Sequence, residues 1–77
     1  MPQSLLDILT SQLKIREDAV TPASSLKRDL GADSLDLLQL LMALEEKFEI
    51  TIPDEALAGF ETVQDVMDFL SAQNIAL

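Results

Sequence analysis

Few residues in this chain of 77 could do chemistry, and those that could gather at Asp33-Ser34-Leu35-Asp36. The sequence has no His, Cys, Tyr or Trp. That removes the usual general bases, thiol nucleophiles, thiolate metal ligands, disulfides and the aromatic platforms on which nucleobases stack. A serine hydroxyl attacks only when a neighbouring base takes its proton, and here only carboxylates and lysines are on offer. Ser34 is therefore no catalyst by itself, and chemistry at its hydroxyl must be supplied by another protein. A phosphate ester there would stand at a helix N-terminus, where free amides and the helix dipole favour anions and partly offset repulsion from Asp33 and Asp36. The plainer reading is structural, with Ser34 as a helix cap and Asp33 and Asp36 as a capping box.

The elements that must position this segment are helices. Apolar spacing is helical through most of the chain, and strand-like alternation is confined to Glu49–Ile52, too short to found a sheet. The first helix is expected from about Ser4 to Ile15, capped by Ser4 with Asp7 as its third residue. Its Leu5, Leu9 and Leu13 fall four apart, with Leu6 and Ile8 beside them. A long connection follows through Thr21, Pro22, Ser24 and Ser25, pinned across the bundle by Val20, Leu26 and Leu30. Gly31 breaks the pattern, and Asp33 or Ser34 opens a second helix that runs to Phe48 or Glu49. After Pro53, Asp54 caps a short helix reaching Leu57 to Phe60. Thr62 starts the last helix with Asp65 at capping-box distance and Val66, Phe69 and Leu70 facing the core. The expected fold is an all-α, small four-helix bundle: three principal helices, one short helix, and a long loop between the first and second.

The second helix has one apolar face too many. On a wheel of about 100° per residue, Leu37, Leu40, Leu41, Leu44 and Phe48 cluster on one side, ample for a core face. Leu35, Leu38 and Met42 cluster nearly opposite, among Gln39, Glu45 and Glu46. Either this helix is buried all round, or the second group is a docking strip for a partner groove rimmed by Arg and Lys. Charge favours the strip. Residues 1–28 carry four bases and three acids, whereas residues 29–77 carry eleven acids and only Lys47.

The net charge of −9 argues against nucleic acid, which binding proteins neutralise with Lys and Arg, and in favour of basic protein partners. A chain of this length holds a single domain, residues 1–77, and 48% apolar residues argue for a packed core over a solvated acidic tail. No signal-peptide pattern and no run of about 18 apolar residues is present, so a cytoplasmic monomer is expected, with no membrane span and no metal site. A calcium loop would need spaced acids, a central Gly and a terminal Glu within twelve residues, and none fits.

Gly31-Ala32-Asp33-Ser34-Leu35-Asp36 resembles the attachment motif of the acyl carrier proteins. The resemblance extends through Met42-Ala43-Leu44-Glu45-Glu46-Lys47-Phe48, Ile52-Pro53-Asp54-Glu55 and Thr62-Val63-Gln64-Asp65-Val66, and so covers nearly the whole chain. It implies that a phosphopantetheinyl transferase attaches the 4′-phosphopantetheine arm of coenzyme A to Ser34, and that the arm's thiol carries acyl groups as thioesters. It implies that Asp33, Leu35 and Asp36 flank the attachment site. Leu35, Leu38, Gln39, Met42, Glu45 and Glu46 match positions contacted by partner enzymes: acyltransferases, ketosynthases or ligases with basic docking patches. Leu37, Leu40, Leu41, Leu44 and Phe48 form the core and, by resemblance, an acyl pocket. Gln39 stands where members serving fatty-acid synthesis usually carry Glu, and Leu37 where smaller or polar residues are frequent, which leaves fatty-acid, polyketide, lipid-modification and specialised acyl-transfer pathways open. The function so implied is a non-catalytic acyl carrier. The alternatives are a peptidyl or aminoacyl carrier, and an unmodified acidic helical adaptor that binds basic protein surfaces.

Overall fold

Two helices in this chain begin with the same device. At the first, Asp33 Oδ1 accepts the amide of Asp36 at 2.9 Å while Asp36 Oδ2 accepts the amide of Asp33 at 3.1 Å. At the second, Thr62 Oγ1 accepts the amide of Asp65 at 3.2 Å and Asp65 Oδ2 accepts that of Thr62 at 3.0 Å. Each capping box satisfies two amides that a helix start leaves without partners. The computed structural model describes residues 1–75. Its helices are α1 (Gln3–Leu13), α2 (Ser34–Phe48), α3 (Asp54–Ala58) and α4 (Val63–Ala72), with no strand among the described residues. The fold is the expected all-helical bundle.

Boundaries differ from expectation at three places. α1 begins at Gln3, with extended Pro2 at the N-cap and no side-chain cap, so Ser4 lies inside the helix. Asp7 instead accepts the Gln3 side chain at 2.7 Å. The helix stops at Leu13 because Lys14 turns left-handed at φ 55°, and the amides of Lys14 and Ile15 both donate to the Thr10 carbonyl. α3 has Pro53, not Asp54, at its N-cap and ends at Ala58, where the Gly59 amide donates to Ala56 and that of Phe60 to Leu57. Glu49–Ile52, expected to be too short to found a sheet, forms no strand, and Glu49, left-handed at φ 54°, turns the chain out of α2.

The long connection is held down. Its single 3-10 turn, Glu17–Ala19, was not legible in the apolar spacing. Leu26 and Leu30 are buried, as is Ala32, and Val20 is half-buried against the core. Backbone bonds tie this loop to the start of α4: the Leu26 amide donates to Glu61 at 2.9 Å, Val63 to Ser24 at 3.1 Å and Gln64 to Pro22 at 2.9 Å. Gly31, at φ 71°, lets the loop reverse into α2.

One cluster of buried side chains joins these parts. Leu5 and Leu9 of α1 pack with Leu37, Leu40, Leu41 and Leu44 of α2, with Leu26 and Leu30 of the loop, and with Val63, Val66 and Leu70 of α4. Leu13, Phe48 and Phe69 are half-buried at its margin. Truncating a fully buried Leu costs about 2–5 kcal/mol, a large part of the ~5–10 kcal/mol that holds a domain of this size.

Hydrogen bonds from two backbone amides favour the ionised form of the Asp65 carboxyl. The Thr62 amide first, then the Glu61 amide, hold it below its usual 3.8 against a smaller opposing effect of burial. A lowered folded value means stability that is fully present above the unfolded value and lost as pH falls through the folded one. Asp65→Asn is therefore expected to lower the Tm from neutral pH down to about pH 5, with the difference shrinking toward pH 2. Thermal melts across this range check it; a difference unchanged at pH 2 contradicts it.

Candidate functional site

Ser34 is the first residue of α2, and its neighbours do the capping. Asp33 is the N-cap and Asp36 closes the box, so the Ser34 hydroxyl has no hydrogen-bond partner among the described residues. Its side chain is exposed. Ser34 also lines an open cleft of about 650 Å³ between the loop, the start of α2 and α3. Lys27 and Arg28 of the loop line that cleft, and Leu37, Leu57, Ala58 and Phe60 supply its apolar surface. Phe60 is fixed by an edge-on contact with Phe69, ring centroids 5.6 Å apart. A free hydroxyl at the mouth of a partly apolar cleft can accept a tethered group and give that group a surface to lie on.

Of the five residues expected to combine core and pocket, only Leu37 lines this cleft. Leu40, Leu41 and Leu44 are buried in the bundle, and Phe48 is half-buried at its edge. Leu57 and Phe60, which do line it, escaped the sequence reading because they belong to a short helix and the turn after it. Lys27 and Arg28 escaped it too, although their place at the boundary where the charge changes sign was a usable signal.

The opposite face of α2 is open to solvent. Leu35 is 60% exposed, Leu38 44% and Met42 59%, so the helix is not buried all round. Gln39 and Glu46 are exposed beside them. Glu45 stands apart from this group. It is half-buried, and its Oε2 accepts the Ile52 amide at 2.8 Å, which braces the turn between α2 and α3. Among the described residues, no three acidic side chains converge as metal ligands would.

The small helical bundle, the exposed Ser34 hydroxyl and a sequence without His or Cys fit a carrier that other enzymes act on. Comparison with known proteins gives that class a family. A family model described as "Phosphopantetheine attachment site" matches residues 3–70. The acyl carrier protein of Syntrophobacter fumaroxidans is 42% identical over 76 residues, covering 99% of this chain and 94% of that protein. The acyl carrier protein of Clostridium perfringens strain SM101 is 46% identical over 71 residues, covering 92% and 93%. The chain belongs to the acyl carrier family of phosphopantetheine-bearing proteins. It is a non-catalytic carrier of acyl groups with 4′-phosphopantetheine as its cofactor, and its partners are a phosphopantetheinyl transferase and acyl-handling enzymes. No helix among the described residues is long and apolar enough to cross a membrane.

The division of labour between Asp33 and Ser34 has a measurable consequence. Asp33→Ala is expected to lower the Tm by roughly 4–8 °C, the effect of losing an N-cap worth about 1 kcal/mol. Ser34→Ala is expected to change it by less than about 3 °C, as exposed substitutions do. Equal losses in the two variants would return the capping role to Ser34.

Proposed function

We propose that Ser34 is the residue that bears the 4′-phosphopantetheine arm and that residues 1–77 act as one monomeric carrier domain in the cytoplasm. The observation that carries this reading is the unpartnered, exposed Ser34 hydroxyl opening on the cleft. When attached, the arm supplies the thiol this chain lacks and holds acyl groups as thioesters. The protein's own residues do the rest. Asp33 and Asp36 fix the start of α2 and present two carboxylates to an incoming transferase. Leu37, Leu57, Ala58 and Phe60 offer an apolar surface to the arm and its cargo. Leu40, Leu41, Leu44 and Phe48 would join that surface only if the bundle parted.

The strip Leu35, Leu38 and Met42, with Gln39 and Glu46 beside it and Glu45 at its border, docks partners. An apolar ridge flanked by carboxylates suits an apolar groove rimmed by Arg and Lys, and Met42 can repack against more than one such groove. Acyltransferases, ketosynthases and ligases with basic docking patches fit this description. The acidic field of residues 29–77 steers them at a distance and raises on-rates more than final affinity.

Incubation with coenzyme A, magnesium and a broad-specificity transferase is expected to add one phosphopantetheine mass, and Ser34→Ala to abolish the gain. Intact-mass measurement reads this directly; no gain with several transferases overturns the attachment at Ser34. Met42→Ala and Glu46→Lys are expected to weaken transferase kcat/KM at least about fivefold with Tm changes under about 3 °C. A large drop in Tm for Met42→Ala would instead make that side chain part of the core.

A further inference from the structure

Lys27 and Arg28 stand on a piece of backbone that is anchored at both ends. The Ser25 amide donates to the Asp29 carboxylate at 2.7 Å, the Arg28 amide to Ser25 Oγ at 3.1 Å, and the Asp29 amide to the Ser25 carbonyl at 2.9 Å. Leu26 and Leu30 on either side are buried. Only the two cationic side chains, both exposed, are free to swing, and both line the cleft that Ser34 lines. Arg16–Asp18 is the one ion pair among the described residues, so Lys27 and Arg28 face that cleft without a carboxylate partner. Asp29, their neighbour in sequence, already accepts from Ser25.

We propose that Lys27 and Arg28 form an anion clamp that holds the phosphodiester of the arm attached at Ser34, an inference that rests on the attachment reading above. The start of α2 is a poor anion site by itself. Its capping box consumes the amides of Asp33 and Asp36 and sets two carboxylates within a turn of Ser34. The helix dipole offers only about half a positive charge against them. Two cations restore the balance, and an Arg fork with a Lys beside it matches phosphate geometry. The other charged residues of the cleft, Asp54 and Glu61, are acidic and turn the anion toward the loop. Clamped there, the arm lies along Leu37, Leu57 and Phe60.

The test uses protein loaded from coenzyme A, with the added mass verified and no acyl group on the thiol. Amide and Arg Nε resonances are compared before and after loading at about 20 mM and about 0.5 M NaCl, together with the 31P resonance of the arm. Loading is expected to shift Lys27, Arg28 and the Arg28 Nε signal at low salt, and the shift to collapse at high salt. In Lys27→Gln/Arg28→Gln, loading is expected to leave the Tm roughly 3 °C less favourable, relative to the unloaded protein, than in the native chain. Unmoved Lys27 and Arg28 signals in verified loaded protein overturn the clamp and leave the attachment intact, whereas absence of added mass overturns the attachment itself. Shifts that appear only when the thiol carries a carboxylated acyl group overturn the phosphodiester as the ligand. The native spectra decide the matter even where the transferase rejects the variant.

Discussion

The reciprocal hydrogen bonds between Asp33 and Asp36 fix where α2 begins, and the register of α2 decides nearly everything else in this protein. A start displaced by one residue rotates every side chain by about 100°, enough to carry Leu40 and Leu44 out of the core and Met42 toward it. With the start fixed, one face of α2 closes the bundle on α1 and the loop while the other leaves Leu35, Leu38 and Met42 in solvent. The same two carboxylates release Ser34 from capping. Asp33 holds the helix start, and the adjacent Ser34 hydroxyl is left without a hydrogen-bond partner among the described residues.

So small and chemically poor a chain works as a carrier on which other enzymes act. The sequence contains no His or Cys, and among the described residues no three acidic side chains converge as metal ligands would. The chain's contributions are an exposed hydroxyl at the start of α2, a partly apolar cleft beside it, and a strongly acidic sequence. The loop of residues 14–33 would be a weak point in such a design. Its burial of Leu26 and Leu30 and its backbone bonds to the start of α4 convert it into a fixed wall of the cleft. The backbone that bears Lys27 and Arg28 is thereby fixed on the wall of the cleft that Ser34 also lines, although it lies outside any helix.

Much of this was legible in the sequence because helical periodicity and capping chemistry are local. Asp33 with Asp36 and Thr62 with Asp65 announce helix starts three residues apart, and both boxes form. The two faces of α2 follow from its spacing alone, although only the structure decides that the second face is exposed. What local reasoning missed depends on geometry at a distance. Ser4 looked like a cap, yet Pro2 begins α1 without one, and Asp54 looked like a cap where Pro53 stands. Glu45 reads as a surface acid until the chain turns and brings the Ile52 amide to it. The cleft is assembled from the loop, α2, α3 and the turn before α4, and no single stretch of sequence contains it.

The central claim is that α2 serves the bundle with one face and partners with the other. Amide perturbation mapping of the labelled, unloaded protein with a phosphopantetheinyl transferase, without coenzyme A, tests it most directly. The expected result is that signals of Ser34, Leu35, Leu38, Gln39, Met42 and Glu46 shift or broaden in a salt-sensitive way while those of α1 and α4 stay in place. Perturbations centred on α1 or α4, with the outer face of α2 unmoved, would contradict it.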